Sequence, residues 1–335
     1  MSNCRFQNEL IHFGFFANLS LVTQRPFTEL IEYIGYKTPM SAIQICLPDK
    51  SNVQDLVLAS REISKHHLVV FVHACFTHNL FKEHLFPKTL SVLVQELDIT
   101  VMFGGKGVVV HPGSFDYSSK SSEIAAKHIE MILSKGTTAT SSFSDILKIK
   151  PSEFKKKRRL LLENSAQEGK KRGGTLEELA EILSKIDKKY IDQVGICFDT
   201  AHAYGAGIYD LGKEDQIEKF FSDFDRIVGL EKLWLVHLND SRRSTQKISN
   251  AYFGSRKDRH QNLCHGWIWG EDTSEKESVC SVHPKHKALR RFLELGFSYN
   301  IPIICETPDY PVTRTQEWKF VGRLMKDSKT PLFDE

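Results

Sequence analysis

The sequence predicts an α/β fold, a single closed (β/α)8 barrel of the TIM type, and three observations predict it. Eight short apolar runs, of strand length, recur along the 335 residues. Segments whose apolar residues carry helical spacing separate most of them. Six consecutive runs finish in His, Asp or Glu, as expected where parallel strands all deliver their C-terminal ends to one mouth.

The first run covers residues 11–16 and the second 42–47, with helical spacing over 27–33 between them. Val53, Leu56, Val57 and Ile63 mark one side of a helix over 53–66, which leads into the third run at 68–72. A helix over 89–101 precedes the fourth run, 107–110, and another is expected over 121–135. A polar stretch, 136–144, and the basic segment Lys155-Lys-Lys-Arg-Arg159 lead to the fifth run at 160–162. Leu176, Leu179, Ile182, Leu183 and Ile186 form a helical stripe before the sixth run, 194–198. That run is followed by Asp199, His202 and what reads as a loop of Ala and Gly, small enough for backbone or ligand to approach. A helix over 217–227, a seventh run at 233–236 and an eighth at 303–305 complete the set. The two longest departures from even spacing, near 136–158 and 268–285, read as insertions in one barrel domain spanning 1–335.

Composition narrows the class. An apolar fraction of 41% with 26% charged residues is ordinary for a soluble globular chain. No apolar run approaches the roughly 20 residues that span a bilayer, and the N-terminus lacks the basic-then-apolar pattern of a secretory leader. The seven cysteines show no C-x-x-C spacing, and three lie in or beside apolar runs. Buried thiols in a reducing compartment are the expectation, hence an intracellular protein of cytoplasm or nucleus that is not secreted. A net charge of +3 is too small to imply a nucleic-acid partner by itself.

The strand ends carry the chemistry. In order they present His73, His111, Glu163, Asp199, His237 and Glu306. A lone residue of this kind is more often a hydrogen-bonded turn or cap residue. Six at one mouth need a shared partner, because burying polar groups without one costs free energy. Imidazoles and carboxylates together suit zinc, with manganese or iron also accommodated. His202 and the pair Asp258-x-His260, whose side chains share one side of an extended segment, raise the candidates to nine. Zinc takes about four ligands, so nine residues with bridging carboxylates suit a cluster of about three ions. His78 and His265 read as incidental.

Six motifs, taken together, resemble those of the endonuclease IV family of apurinic/apyrimidinic endonucleases. They are Val110-His-Pro-Gly-Ser114, Leu162-Glu-Asn-Ser-Ala-Gln-Glu-Gly169, Cys197-Phe-Asp-Thr-Ala-His202, His237-Leu-Asn-Asp-Ser241, Asp258-Arg-His260 and Cys305-Glu-Thr307. The resemblance runs from about residue 10 to 325 and implies a barrel with three zinc ions at its mouth, acting on duplex DNA and incising 5′ to abasic sites. It implies that His73, His111 and Glu163 hold one ion, that Glu163, Asp199, His237 and Glu306 hold a second, and that His202, Asp258 and His260 hold a third. Glu163 and Glu306 are then the expected catalytic carboxylates, the product keeps a 3′-hydroxyl, trimming of 3′ ends is an accompanying expectation, and the protein works as a monomer away from membranes. Phe76 falls where the family has an aromatic that wedges into DNA. Lys170-Lys-Arg172 and Arg242-Arg243, in loops on the mouth side, are expected to clamp the DNA backbone. The run from Lys155 to Arg159 precedes a strand, so it is expected at the opposite end, solvated or serving as a nuclear address. One departure stands out: the family's Gly-Glu-Gly-like turn is replaced by Leu263-Cys-His-Gly-Trp267.

Overall fold

The computed structural model describes residues 12–17, 26–47, 52–75, 77–115, 120–242, 251–270, 284–308 and 311–326. Strands β1 (Phe13–Ala17), β2 (Ala42–Ile45), β3 (Val69–His73), β4 (Gly107–Val110), β5 (Leu160–Glu163), β6 (Val194–Asp199) and β7 (Leu233–His237) follow the apolar runs closely. A small antiparallel ribbon, β8 (Asp240–Ser241) with β9 (His260–Gln261), precedes β10 (Ile303–Cys305). The barrel closes in the order β1-β10-β7-β6-β5-β4-β3-β2, every pair parallel. Outside it lie α1 (Phe27–Lys37), α2 (Val53–Lys65), α3 (Phe86–Phe103), α4 (Ser121–Ser134), α5 (Thr138–Ile146), α6 (Pro151–Lys156) and α7 (Leu176–Ser184). The remaining helices are α8 (Thr200–Ala206), α9 (Glu214–Ile227), α10 (Pro284–Ser298) and α11 (Pro311–Met325). None of the described helices is long and apolar enough to cross a membrane.

Two apolar layers hold this arrangement. The larger lies between strands and helices and takes in the stripes read from the sequence, such as Leu176, Leu179, Ile182 and Leu183 of α7. The smaller consists of strand residues alone: Ala42, Val69, Phe71, Val109, Leu161, Cys197, Leu235 and Ile304. Side chains alternate across a strand, so the residue two positions further points the same way, one level nearer the mouth. Counting on by two from this inner layer gives Gln44, His73, His111, Glu163, Asp199, His237 and Glu306. The inner layer is a plug, and the polar ring sits directly on it.

Two expectations need correction, and one stretch to which the sequence assigned no element forms a helix. The polar stretch 136–144 is largely helix α5, because Thr137 and Thr140 form a reciprocal capping box and Phe143 turns inward. The Ala-Gly segment after Asp199 is helix α8: the Asp199 side chain caps it through the His202 N–H, and Gly207, at φ +76°, ends it. Small residues still serve close approach there, since a Cβ on Gly205 would lie 2.7 Å from the Lys257 carbonyl oxygen. The basic run 155–159 is not uniformly solvated either. Arg158 is fully buried, with its guanidinium 2.6 Å from the equally buried Asp98 carboxylate.

Candidate metal centre at the barrel mouth

Most of the candidate imidazoles have one nitrogen tied to an oxygen acceptor and the other turned toward carboxylates. His73 Nδ1 lies 2.8 Å from the Ala74 carbonyl, which only accepts, so Nδ1 carries a proton and the neutral ring has its lone pair on Nε2. That nitrogen is 3.1 Å from Glu163 Oε2. In the same way His202 Nδ1 donates to the Asn164 carbonyl at 2.9 Å, and its Nε2 faces Asp258 Oδ1 at 3.0 Å. His260 Nδ1 donates to the Glu306 carbonyl at 3.2 Å, leaving Nε2 3.5 Å from both Asp199 Oδ2 and Asp258 Oδ1. His237 is bonded through Nε2 to Gln44 Oε1 at 2.9 Å, and its Nδ1 sits 3.1 Å from Glu163 Oε1 and 3.1 Å from Glu306 Oε2. His111 Nε2 approaches Glu163 Oε2 at 3.4 Å.

Lone pairs facing lone pairs repel, so each of these contacts requires something positive between the partners: a second ring proton or a cation. Tying the far nitrogen of a histidine to a carbonyl is how protein sites orient metal-ligating imidazoles. Three groups bring their donor atoms within 4.8 Å of one another: His73, His111 and Glu163; Glu163, Asp199, His237 and Glu306; and Asp199, His202 and His260. Neutral imidazole with ionised carboxylate is the donor set that suits zinc, so the residues fit the ion. Asp258 touches both histidines of the third group, while Asp199 is shared between the second and third.

The electrostatics follow from this crowding. Burial opposes ionisation of Glu163, yet His111, His237 and His202 outweigh it and hold its pKa well below the usual carboxylate range. Glu306 is likewise brought down to about 2, the nearby His237 and His73 overcoming burial. Burial is the dominant influence on His111 and lowers it to about 4, so this ring stays neutral. For His73, His202 and His237 burial also favours the neutral ring, but the surrounding carboxylates win and raise all three. A bound ion would compete with protons for these rings.

Two asparagines inside the quoted motifs, neither of them a candidate ligand, set the ligands in place. Asn164 Nδ2 donates to the Asp199 carbonyl at 3.0 Å, and Asn164 Oδ1 accepts from the Asp199 N–H at 2.6 Å. Asn239 Nδ2 donates to Asp199 Oδ2 at 2.6 Å, and its Oδ1 accepts from the Glu306 N–H at 2.9 Å. Gln44 completes the ring on β2. The spacing by two from the inner layer is the signal that could have found it.

Comparison with known proteins places this geometry. The family described as the xylose isomerase-like TIM barrel matches residues 40–326. A protein named probable endonuclease 4 from Thermotoga neapolitana is 31% identical over 271 residues, covering 79% of this chain and 79% of that one. The chain belongs to the endonuclease IV family. Another such protein, from Thermosipho melanesiensis, is 32% identical over 227 residues, 68% of this chain and 65% of its own length. The endonuclease IV structure from Thermus thermophilus shares the fold, with a TM-score of 0.69 at 23% identity over 95% of this chain and 100% of that one.

The turn after His260 is organised by Asp240. Its buried carboxylate accepts the N–H groups of Gly266 at 3.0 Å and Ile268 at 2.8 Å, and that of Trp269 at 3.3 Å. Glu317 takes the Leu263 N–H at 2.8 Å. The turn is thus a bonded structure beside His260. The basic residues divide. Lys171 pairs with Asp258 at 3.2 Å and Arg172 with Glu178 at 2.9 Å. Lys170 lines an open cavity of about 540 Å³ with Phe81, Lys82, His84 and Phe115. The Arg242 backbone is held by that of Arg259 at 2.8 Å. Phe76 and Arg243 lie outside the described residues.

Proposed function

We propose that this chain is a metal-dependent repair endonuclease that hydrolyses the phosphodiester 5′ to an abasic site in duplex DNA and leaves a 3′-hydroxyl. The observation that carries the reading is the set of four imidazoles whose lone-pair nitrogens face carboxylate oxygens 3.0 to 3.5 Å away. Relatives named probable endonuclease 4 support the substrate class. His73, His111 and Glu163 would hold one zinc ion, Glu163, Asp199, His237 and Glu306 a second, and His202, Asp258 and His260 a third, with Asp199 within reach of the last. Bound divalent ions would supply Lewis acidity toward phosphoryl oxygens and lower the pKa of water.

The chain's own groups do the rest. Glu163 puts one oxygen beside His73 and His111 and the other beside His202 and His237, so it is central to the site. Ionised and fully buried, it is placed to orient an attacking water by accepting its hydrogen bond. Glu306 Oε2 meets the same His237 nitrogen that Glu163 Oε1 faces, each at 3.1 Å, so the three would share one ion. Lys170 and Arg242 would engage the DNA backbone, with Lys171, Arg172, Arg243 and Phe76 as further contacts. Incubating the purified protein with a duplex holding one abasic analogue, with and without chelator, tests the reading. Single-site incision that chelator abolishes is expected. Metal-loaded protein that leaves the duplex intact contradicts it.

A further inference from the structure

Seven of the eight barrel strands place a polar side chain in the ring above the inner layer, and six of the seven are candidate ligands. The seventh is Gln44, fully buried on β2 between Phe16 of β1 and Phe71 of β3 in register. Burying an amide in a barrel costs free energy unless both of its ends are bonded. Both are: Gln44 Nε2 donates to Glu306 Oε1, and Gln44 Oε1 meets His237 Nε2 at 2.9 Å.

These two bonds fix each other's direction. A carboxylate accepts only, so the amide NH2 end must face Glu306 and the carbonyl end must face His237. An amide oxygen also only accepts, so His237 must carry a proton on Nε2. The lone pair of the neutral ring is then on Nδ1 and points at Glu306 Oε2, 3.1 Å away, the oxygen that Gln44 does not hold. One amide thereby sets the tautomer of one ligand and the rotation of the next.

We infer that Gln44 is a positioning residue that holds His237 as its Nε2–H tautomer and turns Glu306 so that both present lone pairs to the same cation. The inference rests on the metal-binding reading above. Its role is distinct from space-filling, because methionine has nearly the same length and volume but no amide. The test is zinc competition between the protein and a chromophoric chelator, for wild type and Gln44→Met. Removal of a partner that orients a ligand typically weakens a site about 10–100-fold, so one ion per chain should be held about that much more weakly while the others keep their affinity. Equal affinity for every ion in both proteins overturns the inference and leaves the metal reading standing. Wild type that takes up no zinc overturns both. A second measurement needs no variant: nitrogen-15 correlation spectra of the zinc-loaded wild-type histidines should show His237 protonated at Nε2 and not at Nδ1. The opposite tautomer contradicts the assignment.

Discussion

Two buried polar clusters sit at opposite ends of the same barrel strands, and they are built on opposite plans. At the floor, ahead of β5, Arg158 gives its guanidinium to Asp98 Oδ1 through Nε at 2.8 Å and Nη2 at 2.6 Å. Its Nη1 reaches the carbonyls of Ile132, Leu133 and Lys135 at 3.2, 3.0 and 2.7 Å, and Nη2 also reaches Thr140. The second Asp98 oxygen accepts from Thr137 at 3.2 Å and Thr140 at 2.6 Å. Each charge meets its opposite. At the mouth, carboxylate oxygens face imidazole lone pairs, and the groups complete one another only when something positive is added. A saturated buried network serves the fold, whereas one that turns acceptor toward acceptor is built for a guest.

The largest effect should come from the mouth. Glu163→Gln removes the shared carboxylate and is expected to lower incision on the order of 10³-fold, measured on an abasic duplex under single-turnover conditions. The same substitution should also lower the unfolding midpoint of the metal-free protein, since it takes an ionised partner away from the buried His73, His202 and His237. Undiminished incision by the variant would contradict the role given to Glu163.

At the floor the pattern reverses. Arg158→Met alone strands the Asp98 charge and should cost about 3–5 kcal/mol, read by urea denaturation, with activity per folded molecule unaltered. The double change Arg158→Met with Asp98→Leu should recover most of that loss. If the double variant is as unstable as the single one, the floor depends on these particular hydrogen bonds rather than on charge balance.

Chelation sharpens the contrast at smaller amplitude. An ion held at about 1,000 times its dissociation constant contributes about 4 kcal/mol, so stripping metal should lower the thermal midpoint by several degrees in wild type and, by the same amount, in the floor double variant. Dependence of that drop on Arg158 would mean that the two ends are coupled.

A surface network sets the lower end of the scale. Asp223 is held by Lys219, Arg226 and Tyr209, which depress its pKa to about 2. A depressed carboxylate contributes stability that is present above its unfolded value, near about 4, and lost as pH falls through about 2. Its charged partners, Lys219 and Arg226, are exposed, so Asp223→Asn should flatten acid denaturation in that window by about 0.5 kcal/mol. A much steeper change would show that exposure does not screen this network.

How much of this was legible in the sequence follows the same division. The strand ends His73, His111, Glu163, Asp199, His237 and Glu306 stand out because ionisable residues abruptly end apolar runs, and parallel topology brings such ends together. Arg158 does not, because within Lys155-Lys-Lys-Arg-Arg159 nothing distinguishes the one side chain that turns inward; its partner Asp98 lies far off on α3. Gln44 was hidden for a different reason. A neutral amide within a strand reads alike whether it faces the barrel axis or the helices, and only strand register decides. Helix α8 was missed because its cap, Asp199, already had a more conspicuous role as a ligand: one oxygen caps the helix while the other faces the site.

The central claim is that the mouth is complete only with cations in it, and native mass spectrometry of the purified protein tests it most directly. The account predicts a chain carrying about three divalent ions, lost together with incision when a chelator is added and regained when zinc is restored. A chain at its bare polypeptide mass that still cuts abasic duplex in the presence of chelator would contradict it.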